Sequence, residues 1–263
     1  MRRRDRNTRM ALSAALVVVM FLASCGGAYT AKRIPEADEK IVLAGKLFDK
    51  EKYGQAAVEY KDFLADFAGD ERGDLAQYRL AECYRLDGDY PLASLEYRIL
   101  INDYGYSEYI DDAFYLEGLS AFMQHLRPER EQSKTFEALS RINRFLEIFP
   151  NSPRRAEAEE TRKNIYDILG EKDFKNAQLY FSGKNYNAAL LYFDKVVNSY
   201  SSTVWAVRSR YYRGRIAEEN GDVSLALKEY GEVVSSTHEF DEKEEAGARI
   251  RDLTGGQSSE EQG

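Results

Sequence analysis

The feature that most constrains this chain is a short helical unit that recurs along it. Its clearest copy is residues 80–97, Leu-Ala-Glu-Cys-Tyr-Arg-Leu-Asp-Gly-Asp-Tyr-Pro-Leu-Ala-Ser-Leu-Glu-Tyr. Leu80, Ala81 and Tyr84 fall on one face of a helix. Leu86-Asp87-Gly88-Asp89 ends that helix, because glycine takes the left-handed cap without steric cost. Tyr90 opens a second apolar stripe through Ala93, Tyr97 and Leu100. Alanine at 81 and 93 lets two such helices approach closely, but a unit this short cannot bury its apolar face alone and needs copies of itself. Ala56 and Tyr60, after Tyr53, repeat the second half, and Ala189 and Phe193, after Tyr186, repeat it again behind Ala177, Tyr180 and a turn glycine, Gly183. Gly214, Ala217, Gly221, Ala226 and Tyr230 give another copy, and Gly118, Ala121, Ala138, Ile142 and Phe145 a weaker one closing at Pro150. Ala56 and Ala93 are 37 residues apart, as are Ala189 and Ala226.

This pattern resembles the tetratricopeptide (TPR) repeat, whose period is ~34 residues. The fold expected is all-α, an α-solenoid of about five TPR-like helix pairs. The pairs fall near 36–50 with 53–67, 74–86 with 90–104, 110–126 with 131–149, 171–182 with 186–199, and 204–219 with 222–235. In the first, Leu43, Ala44 and Leu47 should face Ala56, Tyr60 and Phe63. The third connection is long: Gly118 to Ala138 is 20 residues, against 12 from Ala44 to Ala56. Residues 154–181 read as one long helical stretch that Gly170 interrupts with a kink or a break, because glycine costs ~1 kcal/mol there relative to alanine. That element divides a three-repeat block, 36–153, from a two-repeat block, 154–240. Arg213 stands where leucine is usual before Gly214, which leaves that helix partly exposed or meeting a partner. Residues 241–263 are charged and rich in Ser, Gly and Gln, and read as a short helix at most before disorder.

The amino terminus carries an address. Arg2, Arg3, Arg4, Arg6 and Arg9 precede an apolar run from Met10 to Phe21, too short to span a bilayer but suited to a secretion signal. Leu22-Ala23-Ser24-Cys25 then resembles a bacterial lipobox, which implies cleavage after residue 24 and acylation of Cys25. Residues 1–24 are thus read as signal peptide and 25–35 as a lipidated tether. Several acyl chains hold a protein where a single one is marginal. Gly26 and Gly27 are not the aspartate of the best-known inner-membrane retention signal, which favours the outer membrane. No acidic cluster follows Cys25, which favours a periplasmic face.

Composition excludes several classes. Cleavage removes five arginines and Asp5, taking the formal charge from -8 to -12. Such a chain has no electrostatic footprint for nucleic acid. Cys83 is the one thiol left, so no intrachain disulfide forms, and its place on a helix predicts a buried, inert group. His125 and His238 lie in different repeats with no cysteine near, which argues against zinc; His125 sits where a helix ends and is expected to cap it. No Gly-x-Ser-x-Gly, Walker or Gly-x-Gly-x-x-Gly sequence is present, and the acidic residues fall on polar faces and in turns. The expectation is a protein that is not an enzyme, with no catalytic residues, no metal and no cofactor.

Lipobox, five TPR-like units, the long third connection and the long element after it together resemble the BamD family of outer-membrane assembly factors. Residues 145–153, Phe-Leu-Glu-Ile-Phe-Pro-Asn-Ser-Pro, and 177–197, ending in Tyr192-Phe-Asp-Lys-Val-Val197, carry the resemblance most sharply. It implies a non-enzymatic subunit of the β-barrel assembly machinery, lipid-anchored at the outer membrane and facing the periplasm. Its partners would be a BamA-like barrel-forming subunit, bound through the carboxy-terminal repeats, and unfolded outer-membrane proteins, received by the amino-terminal ones. In TPR arrays the first helix of each pair lines the binding groove, where Ile41, Phe48, Tyr78, Arg85, Tyr115, Leu119 and Phe122 fall one turn from the core positions. Aromatic rings there suit an extended peptide, with Arg85 pairing a carboxylate. Tyr211 and Arg215 are the matching partner-contact candidates in the fifth repeat. The rival reading is a TPR lipoprotein adaptor for cell-wall hydrolases or divisome components. A glycan-binding lipoprotein is disfavoured, since no ligand domain is inserted and Trp205 is the sole tryptophan.

Overall fold

The computed structural model describes residues 36–125 and 130–260, with side chains through 255. The segments expected to be signal peptide, 1–24, and lipidated tether, 25–35, with Cys25, lie outside the described residues. Residues 1–39 and 40–263 form separate units, and the helical array belongs to the second. Among the described residues all regular structure is α-helical.

The helices are α1 Ala37–Asp49, α2 Tyr53–Asp66, α3 Gly73–Leu86, α4 Tyr90–Asp103, α5 Ile110–Phe122, α6 Ser133–Ile148, α7 Arg155–Ser182, α8 Tyr186–Ser199, α9 Val204–Glu219, α10 Val223–Ser235 and α11 Asp241–Glu260. From α2 onward each helix packs on the next, and the odd-numbered helices also touch in series: α5 on α7, α7 on α9, and α9 on α11. That is the stacking of paired helices expected from the repeat. Alanine-lined cores result, two of which hold most of the buried side chains from α4 onward. One runs from Tyr78 to Ile216 across both expected repeat blocks without a break, and the second joins Tyr211, Ala217, Ala226, Tyr230, Val233 and Ala246. Ala56, Ala81, Ala93, Ala138, Ala189 and Ala226 are wholly buried at the helix crossings. In the first pair Ala44, Ala56, Tyr60 and Phe63 are buried as expected, but Leu43 is 45% exposed and lies off the packed stripe.

The turns inside the first, second, fourth and fifth pairs follow one design. A left-handed residue ends the first helix, and the next amide returns to a carbonyl five residues earlier, as from Asp89 to Tyr84 at 2.8 Å and from Asp222 to Ala217 at 2.9 Å. The same Asp89 and Asp222 then cap the second helix, accepting from Leu92 and Leu225 amides at 3.2 and 3.0 Å. Gly88 and Gly221 supply the positive φ. In the fourth pair the expected turn glycine, Gly183, is not the left-handed residue: Lys184, at φ 57°, takes that position before Asn185 caps α8. Its amide joins the Phe181 carbonyl and the Asn185 amide the Tyr180 carbonyl, so two hydrogen bonds hold a non-glycine there.

Two expectations are corrected. Gly170 does not split the long element into two helices, because α7 is one helix of 28 residues. A Cβ at 170 would stand 3.3 Å from Trp205 Cδ1 and 3.4 Å from Thr203 Oγ1, so the glycine admits α9 rather than breaking α7. Residues 241–260 form a full helix instead of a disordered tail. Ala246 is wholly buried, and Ile250 and Leu253 pack beside it on the second core. α11 touches α10 and α9 as α9 touches α8 and α7, so it stands where the first helix of a sixth pair would. Composition misled because a single buried alanine with two apolar neighbours suffices when a neighbouring helix already offers the matching face.

Candidate partner-binding surfaces

Long side chains on the first helices of the pairs have two options, to project outward or to fill the space toward the next pair. The tyrosines take the second. Tyr78 is buried, stacked on Tyr109 at 4.7 Å, and Tyr115 is buried with its hydroxyl 3.5 Å from Thr161 Oγ1 on α7 and its ring beside Phe145. Neither lines a groove as expected; both weld one pair to the next. Ile41, Phe48, Leu119 and Phe122 stay half-buried. Phe48 lies edge-on to Tyr53 and under the Arg79 guanidinium at 4.8 Å, and Phe122 is stacked on His125 at 4.6 Å. His125 caps its helix end as expected, its Nδ1 2.7 Å from the Phe122 carbonyl oxygen.

Arg85 is engaged within the fold. Its Nε and terminal nitrogen donate to the two carboxylate oxygens of Glu82 at 2.7 and 2.9 Å, and Tyr97 donates its hydroxyl to the same carboxylate. Burial disfavours ionised Glu82, yet the bonds from Arg85 and Tyr97 prevail and hold its pKa below the ordinary value. A peptide carboxylate at Arg85 would compete with this pair. Cys83, next in sequence, is fully buried, and burial with Glu82 adjoining pushes its thiol up to about 12, the inert group expected.

The fifth-repeat candidates are likewise covered. Tyr211 is 2% exposed, its hydroxyl accepts from Arg215 at 3.0 Å, and burial followed by the Glu245 hydrogen bond pushes its pKa up to about 12. Arg215 also meets Glu245 of α11 at 3.3 Å. Around them Arg249 reaches Glu218 at 3.0 Å, and Arg208 reaches Glu242 while lying over Phe174 at 4.9 Å. The surface that sequence reasoning left for a partner is the seat of α11. Arg213 is also engaged, to Asp194 at 3.2 Å and Glu229 at 2.9 Å.

The features that single-residue reasoning missed are charge clusters between pairs, each built around one buried carboxylate, Glu117 or Glu229. Between α4, α5 and α6, Glu117, 6% exposed, receives Arg98 at 3.0 Å and Arg141, which also pairs with Glu137. This cluster lines a cavity of about 420 Å³ with Ile101, Phe114 and Arg144, the last lying 5.0 Å over the Phe114 ring. Between α8, α9 and α10 a groove of about 270 Å³ is lined by Asp194 and Arg213, and Glu229, outside that lining, pairs with Arg213 and, at 3.3 Å, with Arg210. The positions correspond. Glu117 and Arg213 each precede the glycine of their first helix, Arg98 and Asp194 each stand five residues after an anchor alanine, and Arg141 and Glu229 stand three after theirs. Alignment of repeats would have found them, whereas scanning for catalytic patterns could not. Among the described residues no group of acidic, histidine and cysteine side chains is placed to hold a metal, and no helix is long and apolar enough to cross a membrane.

Comparison with known proteins places these features in context. The model of a family described as "YfiO: Outer membrane lipoprotein" matches residues 43–221. A Rickettsia prowazekii (strain Madrid E) protein named "Outer membrane protein assembly factor BamD" is 27% identical over 201 residues, covering 76% of this chain and 80% of that protein. Among solved structures, a thermophilic TPR protein of Thermus thermophilus aligns at 15% identity over 83% of this chain and 98% of that one, with a TM-score of 0.38. The fold rests on the helix stacking itself and takes nothing from that alignment.

Proposed function

Because the chain belongs to the YfiO family of outer membrane lipoproteins, we propose that it is a non-enzymatic scaffold subunit of the β-barrel assembly machinery. It is anchored by acyl chains on Cys25, faces the periplasm, and binds a BamA-like barrel-forming subunit and unfolded outer-membrane protein segments to promote their folding and insertion. One observation carries the reading: the family match runs from α1 to the turn after α9, so it rests on the stacked array itself and not on one repeat. The relative named as an outer membrane protein assembly factor supports the same direction. Of the groove candidates, Ile41, Phe48, Leu119 and Phe122 remain half-exposed and suit an extended apolar peptide, while Arg85 serves it only by leaving Glu82. The carboxy-terminal contact with the barrel-forming subunit runs over the α9–α11 end, with Arg215 half-exposed at its edge and Tyr211 buried beneath.

Purification of the full lipidated chain in mild detergent tests this. The expected result is recovery of a large barrel protein with repeated periplasmic domains, and depletion lowers many β-barrel proteins together. Recovery of cell-wall enzymes instead, with barrel levels unchanged, overturns the reading in favour of the adaptor.

A further inference from the structure

The charge cluster in the groove between α4, α5 and α6 differs from its counterpart in the fifth pair in a way that bears on binding. In the fifth pair the charges close on themselves: the carboxylates of Asp194 and Glu229 both reach Arg213. In the third, an arginine stands at each of those two positions, as Arg98 and Arg141, and they share the buried carboxylate of Glu117. A further arginine, Arg144, stands six residues after its anchor alanine, where the fifth pair has Glu232. Arg144 is exposed, rests on the Phe114 ring, and has no acidic partner among the described residues. The cavity lining therefore carries Arg98, Arg141 and Arg144 against Glu117 and Glu137, a local surplus of positive charge on a chain whose formal charge is -8.

We propose that this groove docks an acidic segment of a partner protein, one carboxylate seated on the Arg144 guanidinium with Arg98 alongside, and an adjoining apolar side chain against Ile101. A guanidinium fork matches a carboxylate in two parallel hydrogen bonds. Glu117 and Glu137 in the same cavity disfavour a doubly charged phosphate, and the apolar wall suits a side chain. The inference does not depend on which complex the chain serves.

The test titrates a fluorescent peptide of alternating glutamate and leucine against the full chain in detergent, with a lysine–leucine peptide as control. Binding should weaken with salt, and Arg144→Glu should weaken it about tenfold, with Arg144→Gln between. Arg251→Glu, an exposed reversal on α11, should leave it unchanged. Arg144 is exposed, so the variants keep the wild-type melting temperature. Equal binding of the lysine peptide, no effect of Arg144→Glu, or displacement by phosphatidylglycerol in mixed micelles at lower concentration than by unlabelled peptide would each overturn the proposal.

Discussion

The third and fifth helix pairs occupy equivalent places in the array and hold the same three-residue cluster with every sign exchanged. The third has Arg98, Glu117 and Arg141, and the fifth has Asp194, Arg213 and Glu229. In both, the central charge lies on the odd-numbered helix just before a glycine, and its partners come from the two flanking even-numbered helices. The position is fixed by the close approach of the helices, whereas the sign is free so long as the group is paired. Removing such ions from water costs several kcal/mol each unless a partner is adjacent. The second pair uses the same even-helix position differently, with Glu96 accepting from Gln77 at 2.7 Å. The two pairs are also covered differently: the 28-residue α7 packs on α5 and α6 of the third, while α11 packs on α9 and α10 of the fifth.

Breaking one cluster should have the largest effect. Arg141→Glu leaves Glu117 buried beside two other carboxylates and should cost about 3–5 kcal/mol, read from urea unfolding. The combined exchange Arg98→Asp, Glu117→Arg and Arg141→Glu installs the fifth-pair arrangement and should recover more than half of that loss. A triple variant no more stable than the single one would refute the equivalence of the two sites.

The glycines beside the clusters sharpen the comparison at a smaller scale. A Cβ at Gly214 would sit 2.6 Å from Cε1 of Tyr230, a buried ring whose hydroxyl donates to Glu218 at 2.8 Å. A Cβ at Gly118 would sit 2.8 Å from Cδ1 of Ile142, the end of an aliphatic chain that can turn. Gly214→Ala should therefore cost about 1–3 kcal/mol. Gly118→Ala should cost under about 1 kcal/mol, because alanine's helix propensity offsets most of the crowding. Melting temperatures that rank the two in the opposite order would show that the ring yields more readily than the isoleucine.

The smallest effect is the pH response. Bonding from Lys134 lowers the pKa of Glu137 in the third pair, and bonding from Tyr211 lowers that of Glu245 over the fifth, both below the ordinary 4.5. A depressed carboxylate contributes stability above its unfolded value and loses it as pH falls through the folded one. Stability should thus hold from neutral pH to about 4.5 and decline below it. Both side chains are more than a third exposed, so each contributes at most about 1 kcal/mol. Glu245→Gln should remove its share of that decline and leave the Glu137 share intact; an unchanged acid limb would show that Glu245 does not anchor α11.

Helix type, pairing and turn chemistry were legible in the chain because they are local. Alanine spacing marks the crossings, and Gly-Asp marks the turns. Direction of a side chain was not legible: Tyr78 and Tyr115 share a face with Phe48 and Phe122, yet the tyrosines turn toward the neighbouring pair and are buried. The engagement of Arg85 was open to a local reading, since Glu82 lies three residues off on the same helix, but that of Tyr211 and Arg215 was not, since Glu245 lies thirty residues from Arg215.

The sequence by itself determined the helical repeat and its period, because both depend on residues near one another. Only the tertiary structure decided that α7 runs unbroken past Gly170, that residues 241–260 fold over the fifth pair, and that the clusters in pairs three and five mirror each other. Those outcomes depend on which surfaces meet across the array, where the burial of a few apolar groups and the pairing of distant charges outweigh the preference of any single segment.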